Sequence, residues 1–217
     1  MVLVLVVLFG VGQFFASSNF SANSTNSGAS PTAPVATPTQ VIAYTAVQPA
    51  SSTPVESGSC WTNSIAAPFR SDAWRCAVGN GINDPCFQIP GSTNTLLCGV
   101  NPTIADATST FVLKLTQPLP ATQTLEGTSP SNWAWLVELQ GGTLCTPFTG
   151  TLPFTASGQS ANYGCAPGPL GDNTLIFGEL NTSSTPWTAN IGTLSQTTSS
   201  LPIMATSSTI PVVAVWQ

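Results

Sequence analysis

The chain has 217 residues, and 5% of them are charged, with three Lys/Arg against eight Asp/Glu for a net charge of −5; an ordinary soluble domain carries about 25% charged residues. Histidine is absent, which removes imidazole-based triads, zinc sites and proton shuttles, and three cations, Arg70, Arg75 and Lys114, are too few to neutralise a phosphate backbone, so no nucleic-acid partner is expected. A 42% apolar content supports a folded core rather than charge-driven disorder.

Residues 2–16 read VLVLVVLFGVGQFFA, about 22 Å long as a helix and about 28 Å when extended to Phe20, against a hydrocarbon core of roughly 30 Å. Residues 1–18 are therefore expected to be an N-terminal hydrophobic helix, either a cleaved signal peptide or a membrane anchor tethering the protein through residues 2–20. Ala16-Ser17-Ser18 offers small residues for cleavage, although no Lys or Arg precedes the apolar run.

Residues 19–57 are rich in Ser, Thr, Ala and Pro, with no charged residue before Glu56. Such a stretch buries too little apolar surface to offset chain entropy, and proline favours extended structure, so a disordered spacer is expected. The composition also matches O-glycosylated stalks, and Asn19, Asn23 and Asn181 each begin an Asn-x-Ser/Thr triplet. Within the spacer, Val41-Ile42-Ala43-Tyr44 is apolar enough to dock as an added strand.

All six cysteines, Cys60, Cys76, Cys86, Cys98, Cys145 and Cys165, follow the spacer. An even number behind an export segment points to disulfides in an oxidising compartment and delimits one domain over residues 58–217. Sequence does not fix the pairing; the expectation is nearest neighbours, Cys60–Cys76, Cys86–Cys98 and Cys145–Cys165. No C-x-x-C occurs and the closest pair, Cys76 and Cys86, has nine residues between, so neither a metal site nor a cofactor is expected.

The domain reads as all-β, a sandwich or small barrel, with one short helical turn. The turn is predicted over Ser71–Val78, with Ser71 as N-cap, Asp72 in the first turn and Arg75 within pairing reach of Asp72. Asn80-Gly81 and Asp84-Pro85 are turn signals. Phe111 to Leu115 alternates as a strand. Trp133, Trp135, Val137 and Leu139 share one face at period two, and Gly141-Gly142 joins that run to Thr143–Phe148 as a hairpin. Ala161–Cys165, Asn173–Leu180, Trp187–Ile191 and Ile210–Trp216 complete the series, mostly bounded by Gly and Pro.

The candidate ligand-binding residues are Asp72, Arg75, Trp133 and Trp135; no catalytic residue is assigned. Asp72 and Arg75 form either a ligand-gripping pair or a local ion pair beside a disulfide. The tryptophans serve either as core or as a stacking platform, with Trp61 and Trp74 expected to pack on disulfides. Asp72, Asp84, Asp106, Glu126, Glu138, Asp172 and Glu179 include the carboxylates a glycosidase pair would need, but acids this sparse read first as strand-face and turn residues. Asn80, Asn83 and Asp84 do not make a calcium loop.

The words Ser59-Cys60-Trp61-Thr62, Asp72-Ala73-Trp74-Arg75-Cys76, Asp84-Pro85-Cys86-Phe87, Asn162-Tyr163-Gly164-Cys165 and Val215-Trp216, in that order, resemble a group of uncharacterised exported, cysteine-rich bacterial domains. The likeness runs over roughly residues 58 to 217. It implies export, disulfides and a bacterial surface location, and transfers no catalytic residue. The functional expectation is a non-enzymatic extracytoplasmic domain, secreted or tethered at the cell surface, that binds a surface protein or contributes to the envelope. The alternative is a glycan-directed protein: a carbohydrate-binding module, a wall-hydrolase inhibitor or a carboxylate glycosidase.

Overall fold

The structure, a computed structural model, describes residues 36–104, 108–121, 132–155, 158–195 and 203–217, with the side chains of 194–195 and 203–206 excepted. The expected N-terminal helix, the triplets at Asn19 and Asn23, and the acids Asp106 and Glu126 lie outside them. Ala36–Gln217 forms one compact unit. Every described element is a strand: β1 (Gln40–Ile42), β2 (Val55–Asn63), β3 (Ala73–Val78), β4 (Gly81–Gln88), β5 (Thr95–Cys98), β6 (Phe111–Leu115), β7 (Leu136–Leu139), β8 (Leu144–Pro147), β9 (Ala161–Cys165), β10 (Thr174–Asn181), β11 (Thr188–Ser195) and β12 (Ile203–Trp216).

The strands close into two small barrels rather than one. In each, consecutive strands are hydrogen-bonded neighbours, and the strand count decides how the ring closes. β2 to β6 is a five-stranded meander; an odd count leaves first and last strands pointing the same way, and β2 accordingly pairs β6 in parallel, Val55↔Val112 to Gly58↔Leu115. β7 to β12 is an even meander, and it closes antiparallel, Val212↔Leu139 to Trp216↔Leu136. Closure leaves no long unpaired edge in either ring.

Each disulfide joins residues directly opposite on consecutive strands: Cys60–Cys76 with Cα atoms 3.9 Å apart, Cys86–Cys98 at 4.3 Å and Cys145–Cys165 at 3.9 Å. The nearest-neighbour expectation holds because a meander makes sequence neighbours spatial neighbours. Two bridges fill the first barrel with Trp74, Leu96 and Leu113; the third lies in the second barrel with Val137, Leu139, Tyr163, Ile176 and Val215.

A third apolar cluster joins the barrels: Ala73, Phe87 and Leu97 from the first wall meet Trp135, Leu136, Ala214 and Trp216 from the second. This explains why residues 134–137, leading into β7, and residues 212–216, at the end of β12, read as unbroken apolar runs. Val137 and Val215 face their own barrel while Leu136 and Ala214 face the other, and strands buried on both sides do not alternate with polar residues.

Two expectations need correction. Ser71–Val78 contains no helical turn; Ala73–Val78 is β3, with Trp74 and Cys76 buried and Arg75 between them half-buried. Pairing with β2 and β4 on both sides, and a disulfide anchored at Cys76, outweigh a local capping pattern worth about 1 kcal/mol. Residues 36–57, expected within the spacer, belong to the compact unit. β1 runs parallel to β12, Gln40↔Ala214 to Ile42↔Trp216, where β11, which pairs no further along than Pro211, leaves that side of β12 open. The apolar word beginning at Val41 is thus a docked strand.

Candidate functional site

The expected Asp72–Arg75 pair does not form. Each residue takes a different partner, and the two lie in separate clusters.

Arg75 sits between two β-bulges. On one side the register passes from Cys60↔Cys76 to Thr62↔Arg75, leaving Trp61 as an extra residue in β2. On the other it passes from Trp74↔Cys86 to Cys76↔Asn83, setting Asp84 and Pro85 opposite Arg75 alone. Bulges re-aim side chains, and here they assemble a row, Trp61–Arg75–Asp84, across three strands of the outer wall. The Arg75 Nη1 donates to Asp84 Oδ2 at 2.8 Å, and the guanidinium carbon lies 5.8 Å from the Trp61 ring centroid, within cation–π range.

Asp84, with a side chain only 2% exposed, also accepts from Ser64 Oγ and from the backbone N–H groups of Ile65 at 3.1 Å and Ala66 at 3.4 Å. Ser64 Oγ in turn accepts from Ala67 N at 2.8 Å. The acid is therefore spent on pinning the β2–β3 connection and on fixing Arg75. Trp61 is 47% exposed, whereas Trp74, Trp135 and Trp216 are buried and Trp133 and Trp187 half-buried. The expectation that Trp61 packs on a disulfide fails for a simple reason: Cys60 points into the barrel, so its bulged neighbour points out.

The second cluster is a clamp between barrels. Arg70 holds Asp72 with two parallel bonds, Nε to Oδ1 at 2.9 Å and Nη2 to Oδ2 at 2.7 Å, and its Nη1 donates to the carbonyls of Tyr44 at 2.7 Å and Gln217 at 2.8 Å. The guanidinium stacks 4.9 Å from the Phe87 centroid. Trp135 packs on Tyr44 and Phe87 at 5.2 and 4.9 Å, and Trp133 Nε1 donates to Ala66 O at 3.2 Å. Ala67, Phe69, Arg70, Trp133, Trp135 and Gln217 line a recess of about 20 Å³, room for about one water. Trp133 and Trp135 thus come together as expected, with Asp72 attached through Arg70, but as a fastening between barrels. Burial pushes the Tyr44 hydroxyl pKa up, against the opposing pull of Arg70.

Grooves elsewhere are shallow and uncharged or nearly so. One of about 350 Å³ on the second barrel is lined by Thr155, Gln159, Phe177, Asn190, Ile191, Ser207, Ser208 and Thr209; Phe177 is buried beneath it, and Thr209 donates to Asn190 Oδ1 at 3.1 Å. Another of about 510 Å³ is bordered by Glu56, Asn83 and Phe111 on the first barrel.

Arg70 and Asp84, which organise both clusters, and Trp61 were missed as site residues by sequence reasoning. Strict inward placement of Cys60 and Cys76 was the available signal for Trp61; the partnership of Arg75 with Asp84 had none, because it depends on two bulges. These features define a disulfide-pinned double β-barrel with one stacked aromatic–cation row on its outer wall. No protein-family model, curated protein or solved structure matches the chain.

Proposed function

We propose that the protein is an extracytoplasmic, non-catalytic binding domain held from a cell surface by its Ser/Thr/Pro-rich N-terminal segment. The observation that carries this reading is the set of three disulfides, two buried in the first barrel and the third joining buried Cys145 to half-buried Cys165 in the second, which is compatible with an oxidising compartment outside the cytosol. The polar chemistry of the two clusters supports the non-catalytic part. Asp72 and Asp84, the acids of the two clusters, are each engaged by an arginine and serve to hold strands and loops in place. A bridged, doubly closed scaffold suits a rigid presenting surface exposed to an uncontrolled medium.

The test is impermeant labelling of intact cells producing the full chain, coupled to incubation of the purified chain with envelope material. We expect labelling without permeabilisation and retention on the envelope with no soluble fragments released. Labelling only after lysis, or steady release of fragments, would overturn the proposal.

A further inference from the structure

Building on that reading, we infer that Trp61, Arg75 and Asp84 form a stacking site for a neutral sugar ring of a surface glycan. Among the described tryptophans Trp61 alone is exposed, at 47%. An indole left open on a bulge, in a chain that buries or half-buries the others, is apolar area maintained in water. One face of the ring lies over the Arg75 guanidinium, so the side chain is held before any ligand arrives and loses less freedom on binding.

The chemistry of the row selects the ligand class. The Arg75 charge is matched by Asp84 at 2.8 Å, so the row carries no net charge to draw an anion, and the net charge of −5 opposes acidic polymers further. The Arg75 side chain uses Nη1 on the Asp84 carboxylate. A guanidinium has five N–H groups, so donors remain for hydroxyl oxygens beside the ring. An aromatic face for C–H groups, flanked by fixed hydrogen-bonding groups and no net charge, fits a pyranose better than a peptide carboxylate or a phosphate. Ile65, whose N–H bonds to Asp84, is also 47% exposed.

The experiment titrates the full chain with soluble neutral oligosaccharides (gluco-, manno- and N-acetylglucosamine series), with a uronic-acid series alongside, following tryptophan fluorescence and heat. A neutral series should perturb the fluorescence and bind with an affinity indifferent to added salt. Trp61→Ala should weaken that binding by about tenfold or more and Trp61→Phe by less, as expected for a stacking anchor, with circular dichroism and melting unchanged because the side chain is exposed. Phe154→Ala, at a 52% exposed aromatic on the other barrel, should bind as wild type. No saccharide binding, binding only to the acidic series, or binding equal in Trp61→Ala would overturn the inference. A Trp61-dependent capture of an envelope protein in place of any sugar would also overturn it while leaving the broader binding reading intact.

Discussion

Removing the Asp84 carboxylate should be among the most damaging single changes on the outer wall of the first barrel. In Asp84→Ala the Arg75 guanidinium, with a side chain 14% exposed, loses its counter-ion at 2.8 Å. Ser64 Oγ and the N–H groups of Ile65 and Ala66 lose their shared acceptor as well. Breaking a buried pair from one side costs about 3–5 kcal/mol, a large share of a typical net stability of roughly 5–15 kcal/mol. Arg75→Met should cost less, about 2 kcal/mol, because the remaining carboxylate keeps three donors from Ser64, Ile65 and Ala66 and a hydrogen bond to a charged group is worth about 1.5–3 kcal/mol. The double variant should fall short of the sum of the singles. The assay is urea unfolding of the oxidised protein followed by tryptophan fluorescence, with the m value checked for constancy. An Asp84→Ala loss under about 1 kcal/mol, or Arg75→Met costing more than Asp84→Ala, would refute the assignment of Asp84 as the organising acceptor.

Replacing both Cys145 and Cys165 by Ala opens a loop with a separation of 20 residues and should cost about 3 kcal/mol, lowering Tm by roughly 6–12 °C in a calorimetric scan; an unchanged Tm would contradict a native bridge there. Gly58→Ala should destabilise by about 2 kcal/mol or more in the same urea assay, because an added Cβ collides with the Ala77 carbonyl and Leu113 where β2 closes the first barrel. The Tyr163 hydroxyl, pushed up to about 12 from an ordinary 10.0 chiefly by burial in the second barrel, makes stability alkali-sensitive. A raised folded-state pKa gives stability that is complete below the unfolded value and lost as pH rises through the folded one, so unfolding free energy should fall by about 3 kcal/mol between about pH 10 and 12; Tyr163→Phe should flatten that fall, and an unchanged slope would refute the cause.

The second barrel was largely legible in the sequence and the first was not, for a physical reason. β6 and most strands from β8 on carry Val, Ile, Leu or Phe between Gly and Pro turns, so hydrophobic alternation marks them. β2 and β4 contain Glu, Ser, Gly, Asn, Asp and Pro and bury sulfur where other strands bury branched carbon, so their inward faces look polar on the page. The helical reading of Ser71–Val78 came from a sound capping pattern, but Asp72 answers to Arg70 and Arg75 to Asp84. Such partners are set by register, and register is set by bulges that no local pattern announces. Trp61, expected to pack on a disulfide, stands outside because it follows the inward-facing Cys60, a signal the sequence did carry. Pairing of the cysteines was readable because it follows chain order.

The most direct measurement is disulfide mapping by mass spectrometry on protein taken from its own compartment, alkylated before lysis and digested without reductant. We expect three cross-linked peptide pairs, Cys60–Cys76, Cys86–Cys98 and Cys145–Cys165, and no alkylated thiol. Alkylated cysteines, or bridges between the barrels, would contradict both the double-barrel architecture and a place outside the cytosol.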